Sequence, residues 1–149
     1  AVVSERAAQD MARHAADVEL DDRVREWDSG DATDPDEMVV VSHNWDEVRR
    51  TMWNYVGIVR SDKRLARAAH RLDLLQEEID EYYWNFTVTH DLIELRNLAT
   101  VAQLIIEAAR SRRESRGLHY NIDCPNSAER GRDTVMRRDA RGAVEMLAA

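Results

Sequence analysis

Residues 89–125, THDLIELRNLATVAQLIIEAARSRRESRGLHYNIDCP, decide the fold class. Leu95, Leu98, Ala102, Ile105 and Ala109 recur at alternating steps of three and four, the spacing that lines up side chains on one face of an α-helix. Leu92, Val101, Leu104, Ile106 and Ala108 widen that stripe until little of the helix middle is polar, so the helix needs partners on more than one side. Thr89 is placed to cap it and Asp91 falls in its first turn, while Arg110, Arg112, Arg113 and Arg116 crowd the other end, where the helix dipole favours cations. Gly117 is the expected left-handed stop, so the spacing predicts a helix over 90–116.

Working back from this stretch, Ser61 is placed to cap a helix over 62–86 whose seam is Leu65, Ala68, Leu72, Leu75, Ile79, Tyr82 and Phe86. Asn44 followed by Glu47 has the pairing of a capping box, and Trp45, Val48, Met52, Tyr55 and Val59 continue the same rhythm over 45–59. Before it, Met38 to Val41 is a short β-branched run that reads equally as a strand or a helical turn. Connections this short place consecutive helices antiparallel, so the expected fold is all-α, an antiparallel three-helix bundle. Residues 1–16 are helix-prone with a thin stripe of Val3, Ala7, Met11 and Ala15, and the acidic segment from Val18 to Asp36 reads as an extended arm. Residues 126–149 read as a mobile charged tail whose apolar cluster, Val144, Met146 and Leu147, leaves room for a short terminal helix.

Composition narrows the function classes. Twenty-nine acidic against 21 basic residues give a formal charge of −8, so a phosphate-neutralising basic surface is not expected. One cysteine, Cys124, forms no internal disulfide and suits a reducing cytoplasm. No apolar run approaches the ~20 residues that span a bilayer, and Glu5, Arg6 and Asp10 interrupt any signal-peptide core.

The candidate chemical groups are weak. Glu77, Glu78, Asp80 and Glu81 share a helix, but no histidine has a glutamate three positions before it, so the di-metal pattern is absent and a solvated acidic face is the better reading. His43, Asn44 and Asp46 share no helical face and match neither a zinc helix nor a triad. Cys124 reads as a small half-buried side chain, and the five glycines are too scattered for a phosphate-binding loop. Trp53 and Trp84 fall off the helical seam, and with the arginine-rich segment running into SRGLHY they point to docking against another domain.

The segments SHNWDEVRRTMWNYVGIVR, LLQEEIDEYY and LIELRNLATVAQLIIEAARSRRESRGLHYNIDCP, in this order and spacing, resemble the C-terminal helical domain of bacterial L-aspartate oxidases over residues 36–125. The Ser115-Arg116-Gly117-x-His119 core is similar to that of succinate dehydrogenase and fumarate reductase flavoprotein subunits. His119-Tyr120 followed by Asp123-x-Pro125, with HNWDE and QEEIDEYY, looks more like the oxidase. Cys124, where an aromatic or histidine is more usual, and the long tail depart from the pattern. The resemblance implies an FAD enzyme that oxidises L-aspartate to iminoaspartate, with electrons passing to oxygen or fumarate, on the route to quinolinate and NAD. Quinolinate synthase would be its pathway neighbour. It divides the chain into a remnant helix of the flavin domain plus linker (1–35), the bundle (36–125) and the tail (126–149), and brings no catalytic, cofactor or metal position onto this chain. Arg116, His119, Trp53 and Tyr120 are the expected contacts to the flavin-binding domain. A domain of succinate dehydrogenase or fumarate reductase type and a stand-alone helical interaction module are the alternatives.

Overall fold

The computed structural model describes the chain outside residues 1, 20–22, 24, 34–37, 139–143 and 148–149. It is mostly helical: α1 (Val2–His14), α2 (Met38–Tyr55), α3 (Asp62–Asn85) and α4 (His90–Ser111) carry four short strands between and after them, β1 (Val59–Arg60), β2 (Tyr120–Asn121), β3 (Val135–Arg138) and β4 (Val144–Leu147). α2, α3 and α4 each touch the other two, and one core lies between them.

The caps of α3 and α4 are the ones expected from the sequence. Ser61 Oγ accepts the Arg64 N–H at 3.3 Å, and Thr89 Oγ1 accepts the Leu92 N–H at 3.2 Å, each satisfying a donor that the helix start leaves open. α3 buries Leu65, Ala68, Ala69, Leu72, Leu75 and Ile79, while Tyr82 is half-buried and its ring lies 4.3 Å from that of Phe86. The glutamates and aspartate of its outer face are exposed.

α2 begins earlier than the capping-box reading places it. Met38 to Val41 form its first turn, because Val41 is buried and extends the rhythm of Val48 and Val56 back by one turn; burial outweighs the small helix penalty of a β-branched side chain. Asn44 therefore caps nothing. It is buried in mid-helix, where its Nδ2 donates to Glu78 Oε2 at 3.2 Å across the α2–α3 contact. The helix ends at Tyr55, so Val59 lies in β1 and is half-exposed rather than in the seam.

α4 ends at Ser111, not Arg116, and its buried stripe is Leu92, Leu95, Ala99, Ala102, Ile106 and Ala109. Leu98 packs against the core half-buried, but Ile105 is 42% exposed and Val101 is also outside. Positions 98 and 99, and likewise 105 and 106, are both apolar, so the rhythm fits two registers one residue apart. Packing against α2 and α3 selects the second.

α1 is helical as expected and exposed along its described length. The acidic arm lies partly outside the described residues. Its end straps the α3–α4 connection through the Thr33 N–H to the Asn85 carbonyl at 3.3 Å and the Thr87 N–H to the Thr33 carbonyl at 2.8 Å. Among its described residues the tail carries no helix: Val135–Arg138 and Val144–Leu147 pair as antiparallel strands, and β4 lies against α4.

The register of α4 is open to a direct test. Ile106→Ala should destabilise by about 2–5 kcal/mol, and Ile105→Ala by clearly less; equal losses in thermal or urea melts would contradict the stripe.

Candidate functional site

The residues after α4 do not continue as helix because their polar groups are satisfied elsewhere. Arg112 Nη1 donates to Glu114 Oε1 at 2.8 Å, and its Nη2 reaches Thr134 Oγ1 at 2.7 Å and the Arg132 carbonyl at 2.9 Å. Arg116 grips the same carboxylate from the other side, Nε to Oε2 at 3.1 Å, and also donates to the Ala128 carbonyl. The Ala128 N–H completes the set at 2.7 Å from Glu114 Oε2. The arginines thus form a charged network around a buried glutamate and hold the start of the tail, in place of the helix-end role their clustering suggested.

Gly117 does have positive φ, +60°, but in a turn rather than a helix cap. Arg116 and His119 exchange both backbone hydrogen bonds, at 2.9 and 3.1 Å, across Gly117 and Leu118. With positive φ at the first of the two turn residues alone, this is the II′ geometry that demands glycine there.

The turn aims the next residues at the α2–α3 connection. Val59 and Arg60 pair in parallel with Tyr120 and Asn121, and the Arg60 carbonyl accepts the Ile122 N–H at 3.0 Å. Asn121 is buried; its Nδ2 donates to Asp62 Oδ1 at 2.8 Å and its Oδ1 accepts the Asp123 N–H at 3.1 Å. Asp62 Oδ2 takes Arg113 Nη1 at 2.7 Å, and the Asp62 N–H, at the open N-terminus of α3, donates to Asp123 Oδ2 at 2.7 Å. Ser115, also buried, accepts the Asn121 N–H at 2.9 Å and donates to the Cys124 carbonyl at 2.8 Å. Two loops nearly sixty residues apart in sequence are locked together by groups that leave no buried donor or acceptor idle.

His119 sits inside this latch. Its Nδ1 accepts Arg60 Nη1 at 2.8 Å, so the ring is held neutral with the proton on Nε2, which faces the Arg112 carbonyl at 3.3 Å. Burial, joined by the nearby guanidiniums of Arg60 and Arg112, holds its pKa below the ordinary histidine value of 6.5. The Arg116 hydrogen bond and the Ala128 N–H hold the Glu114 carboxyl at about 2 instead of 4.5. Asp62 is lowered by Asn121 first and then Arg113.

Of the residues expected at a docking face, Arg116, His119 and Tyr120 come together in one loop, while Trp53 stands apart near the end of α2, 85% exposed. His119 is half-buried and bonded to Arg60 in the latch, Arg116 is exposed with its guanidinium on Glu114 and the Ala128 carbonyl, and Tyr120 is outward. Sequence reading missed Arg60, Asp62, Glu114 and Asn121 and named Ser115 only as part of the family motif, since single polar residues carry no periodic signal. Asn121 two residues before Asp123 was the one local hint of a turn that satisfies itself. Among the described residues no three His, Cys, Asp or Glu side chains converge as a metal site would need.

The depressed pKa values of His119 and Glu114 have the same sign in a pH profile. A group with a lower pKa in the folded state binds its proton more readily in the unfolded chain, so its contribution is present at high pH and lost on acidification. The His119 part fades as pH falls below 6.5, and the Glu114 part between 4.5 and about 2. Glu114→Gln should therefore lower the Tm at pH 7 and flatten the loss between pH 4.5 and 2; an unchanged slope there would contradict the assignment. Separately, Gly117→Ala should cost about 1–2 kcal/mol from backbone strain, because the space around the added Cβ is open and offers no steric explanation.

The family described as fumarate reductase flavoprotein C-term matches residues 45–147. That range includes β3 and β4, so the tail read as unlike the family falls within its domain. The chain is 55% identical over 91% of its length to L-aspartate oxidase 1 of Ralstonia nicotianae and 53% identical over 91% to L-aspartate oxidase of Pseudomonas aeruginosa. It spans only 26% and 25% of those two proteins. In fold it is similar to a chain of Mycobacterium smegmatis Sdh1, with a TM-score of 0.61 and 23% identity over 95% of this chain and 23% of that one. Matched over more than half its length, from within α2 through α3, α4 and the latch to the final strands, the chain belongs to the fumarate reductase flavoprotein C-terminal family.

Proposed function

We propose that this chain is the C-terminal helical domain of an FAD-dependent L-aspartate oxidase, an oxidoreductase that converts L-aspartate to iminoaspartate for quinolinate and NAD synthesis. The observation that carries the reading is 55% identity, sustained over 91% of the chain, to a protein named for that activity. Under it, α2, α3 and α4 run alternately up and down as an antiparallel bundle, residues 1–35 are the remnant of the flavin domain and its linker, and 126–149 attach to the bundle through Arg112 and Arg116. The enzyme would be cytoplasmic, and quinolinate synthase would consume its product.

FAD would be held by the preceding domain. Where a strand does run into a helix here, from β1 into α3, the cap is Ser61 instead of a glycine-rich turn, and the Asp123 carboxylate already occupies the helix N-terminus that a pyrophosphate would need. The charged groups around His119 and Glu114 are committed to one another, so this domain's part is to support and dock on the flavin domain, not to transfer protons or electrons. Trp53 and Tyr120 face outward for that contact, and Arg116 and His119 fix the loop that presents it.

The test is to express the full-length polypeptide and the 149-residue chain separately. The full-length protein should carry FAD and reduce oxygen or fumarate with L-aspartate, and the chain alone should do neither. Succinate oxidation without aspartate oxidation would favour the succinate dehydrogenase or fumarate reductase alternative, and a full-length protein without flavin would favour an interaction module. Arg116→Ala in the full-length enzyme should lower the Tm or flavin retention with turnover per bound flavin nearly unchanged. Normal stability with lost turnover would make Arg116 a catalytic residue.

A further inference from the structure

We propose that the apolar tip built around β1 and β2 is the face on which the remainder of the full-length polypeptide seats; the inference rests on the reading of this chain as one domain of a longer flavoenzyme. Five large apolar side chains are exposed on the two distant segments that meet there. Ile58 and Val59 come from the α2–α3 connection, and Leu118, Tyr120 and Ile122 from the loop after α4. Val59 and Tyr120 are directly paired across the strands, Ile122 donates its N–H to Arg60 next to them, and Leu118 is the second residue of the turn between Arg116 and His119. Ile58 is 71% and Leu118 86% exposed. Solvent-facing loops usually carry polar residues at such positions, and large apolar residues exposed together on one tip mark a contact surface.

The tip is also rigid. Directly beneath it, Asp62, Arg113, Ser115, Asn121 and Asp123 fix both segments through side-chain hydrogen bonds, so the apolar groups are presented without ordering cost on contact. The Arg116–His119 backbone pair closes the turn, and His119 ties it to Arg60, so both act as positioning residues for this face.

The occupant follows from size and covalent linkage. Proteins like the two L-aspartate oxidases carry about three quarters of their length outside the matched region, since the chain spans 26% and 25% of them. Five side chains make a patch of roughly a few hundred Å², short of the about 800 Å² per partner that a stable complex of separate chains uses. It is adequate within one polypeptide, where the effective concentration is high and domain interfaces begin near 600 Å² in total. A second copy of the chain lacks that advantage.

Hydroxyl-radical footprinting of the unmodified full-length polypeptide reads the face without a variant. Leu118, Tyr120 and Ile122 should oxidise severalfold more slowly in the native protein than in the same protein unfolded in urea, and the protection should be independent of protein concentration. Oxidation as fast as in urea would overturn the proposal. Protection lost on dilution would also overturn it, because the occupant would then be a second copy. L-aspartate turnover by the same preparation separates the two readings: turnover with an unprotected tip overturns this inference alone, whereas protection without turnover sinks the proposed enzyme activity and leaves the interdomain face standing.

Discussion

The buried amide of Asn121 is the constraint on which the rest of the loop architecture depends. An amide this deep must find its partners inside the protein, and it finds Asp62 at the start of α3 and the Asp123 backbone. Satisfying it fixes where the chain must be after α4, which in turn fixes where α4 must stop. The helix gives up one further turn so that Glu114 and Ser115 can be buried with partners. The II′ turn at Gly117 reverses the chain in the least space available and delivers Tyr120 and Asn121 to the edge of β1.

The latch complements the helical core. Leu65, Leu72, Ile79, Leu92, Leu95 and Ile106 supply non-directional burial that holds three helices together but leaves their ends free to fray. At the end where α2 runs into α3 and α4 into β2, the directional bonds of Asp62, Ser115 and Asn121 set a single register. At the opposite end Thr33 straps Asn85 and Thr87, on either side of Phe86, through backbone bonds. The charged network of Arg112, Glu114 and Arg116 then ties the start of the tail, at Ala128, Arg132 and Thr134, to the loop after α4.

Much of this was legible in the sequence and some was not, for identifiable reasons. The caps Ser61 and Thr89, the α3 seam and the exposed Trp53 and Trp84 follow from local chemistry and helical spacing, and the structure has them. The α4 stripe was off by one residue at two places because apolar residues occupy both alternatives. The start of α2 was misplaced because Asn44 has the composition of a cap while its actual partner, Glu78, lies on another helix. The end of α4 was misplaced because arginines that suit a helix terminus suit a buried glutamate better. The bond between Asp62 and Asn121 was invisible because a contact between single polar residues 59 positions apart leaves no period to read. The SRG-x-H motif marked the right loop, but its histidine serves the latch and its arginine the glutamate at the start of the tail, while Leu118 and Tyr120 between and after them are left exposed.

The central claim is that this latch, not the length of α4, positions the loop that carries the family motif. A double-mutant cycle on Asp62→Ala and Asn121→Ala, read by urea unfolding at neutral pH, addresses it directly. The two residues should be coupled by about 1 kcal/mol or more, since each single change strands a hydrogen-bonding partner that the other change removes. Additive losses, with coupling indistinguishable from zero, would contradict the account.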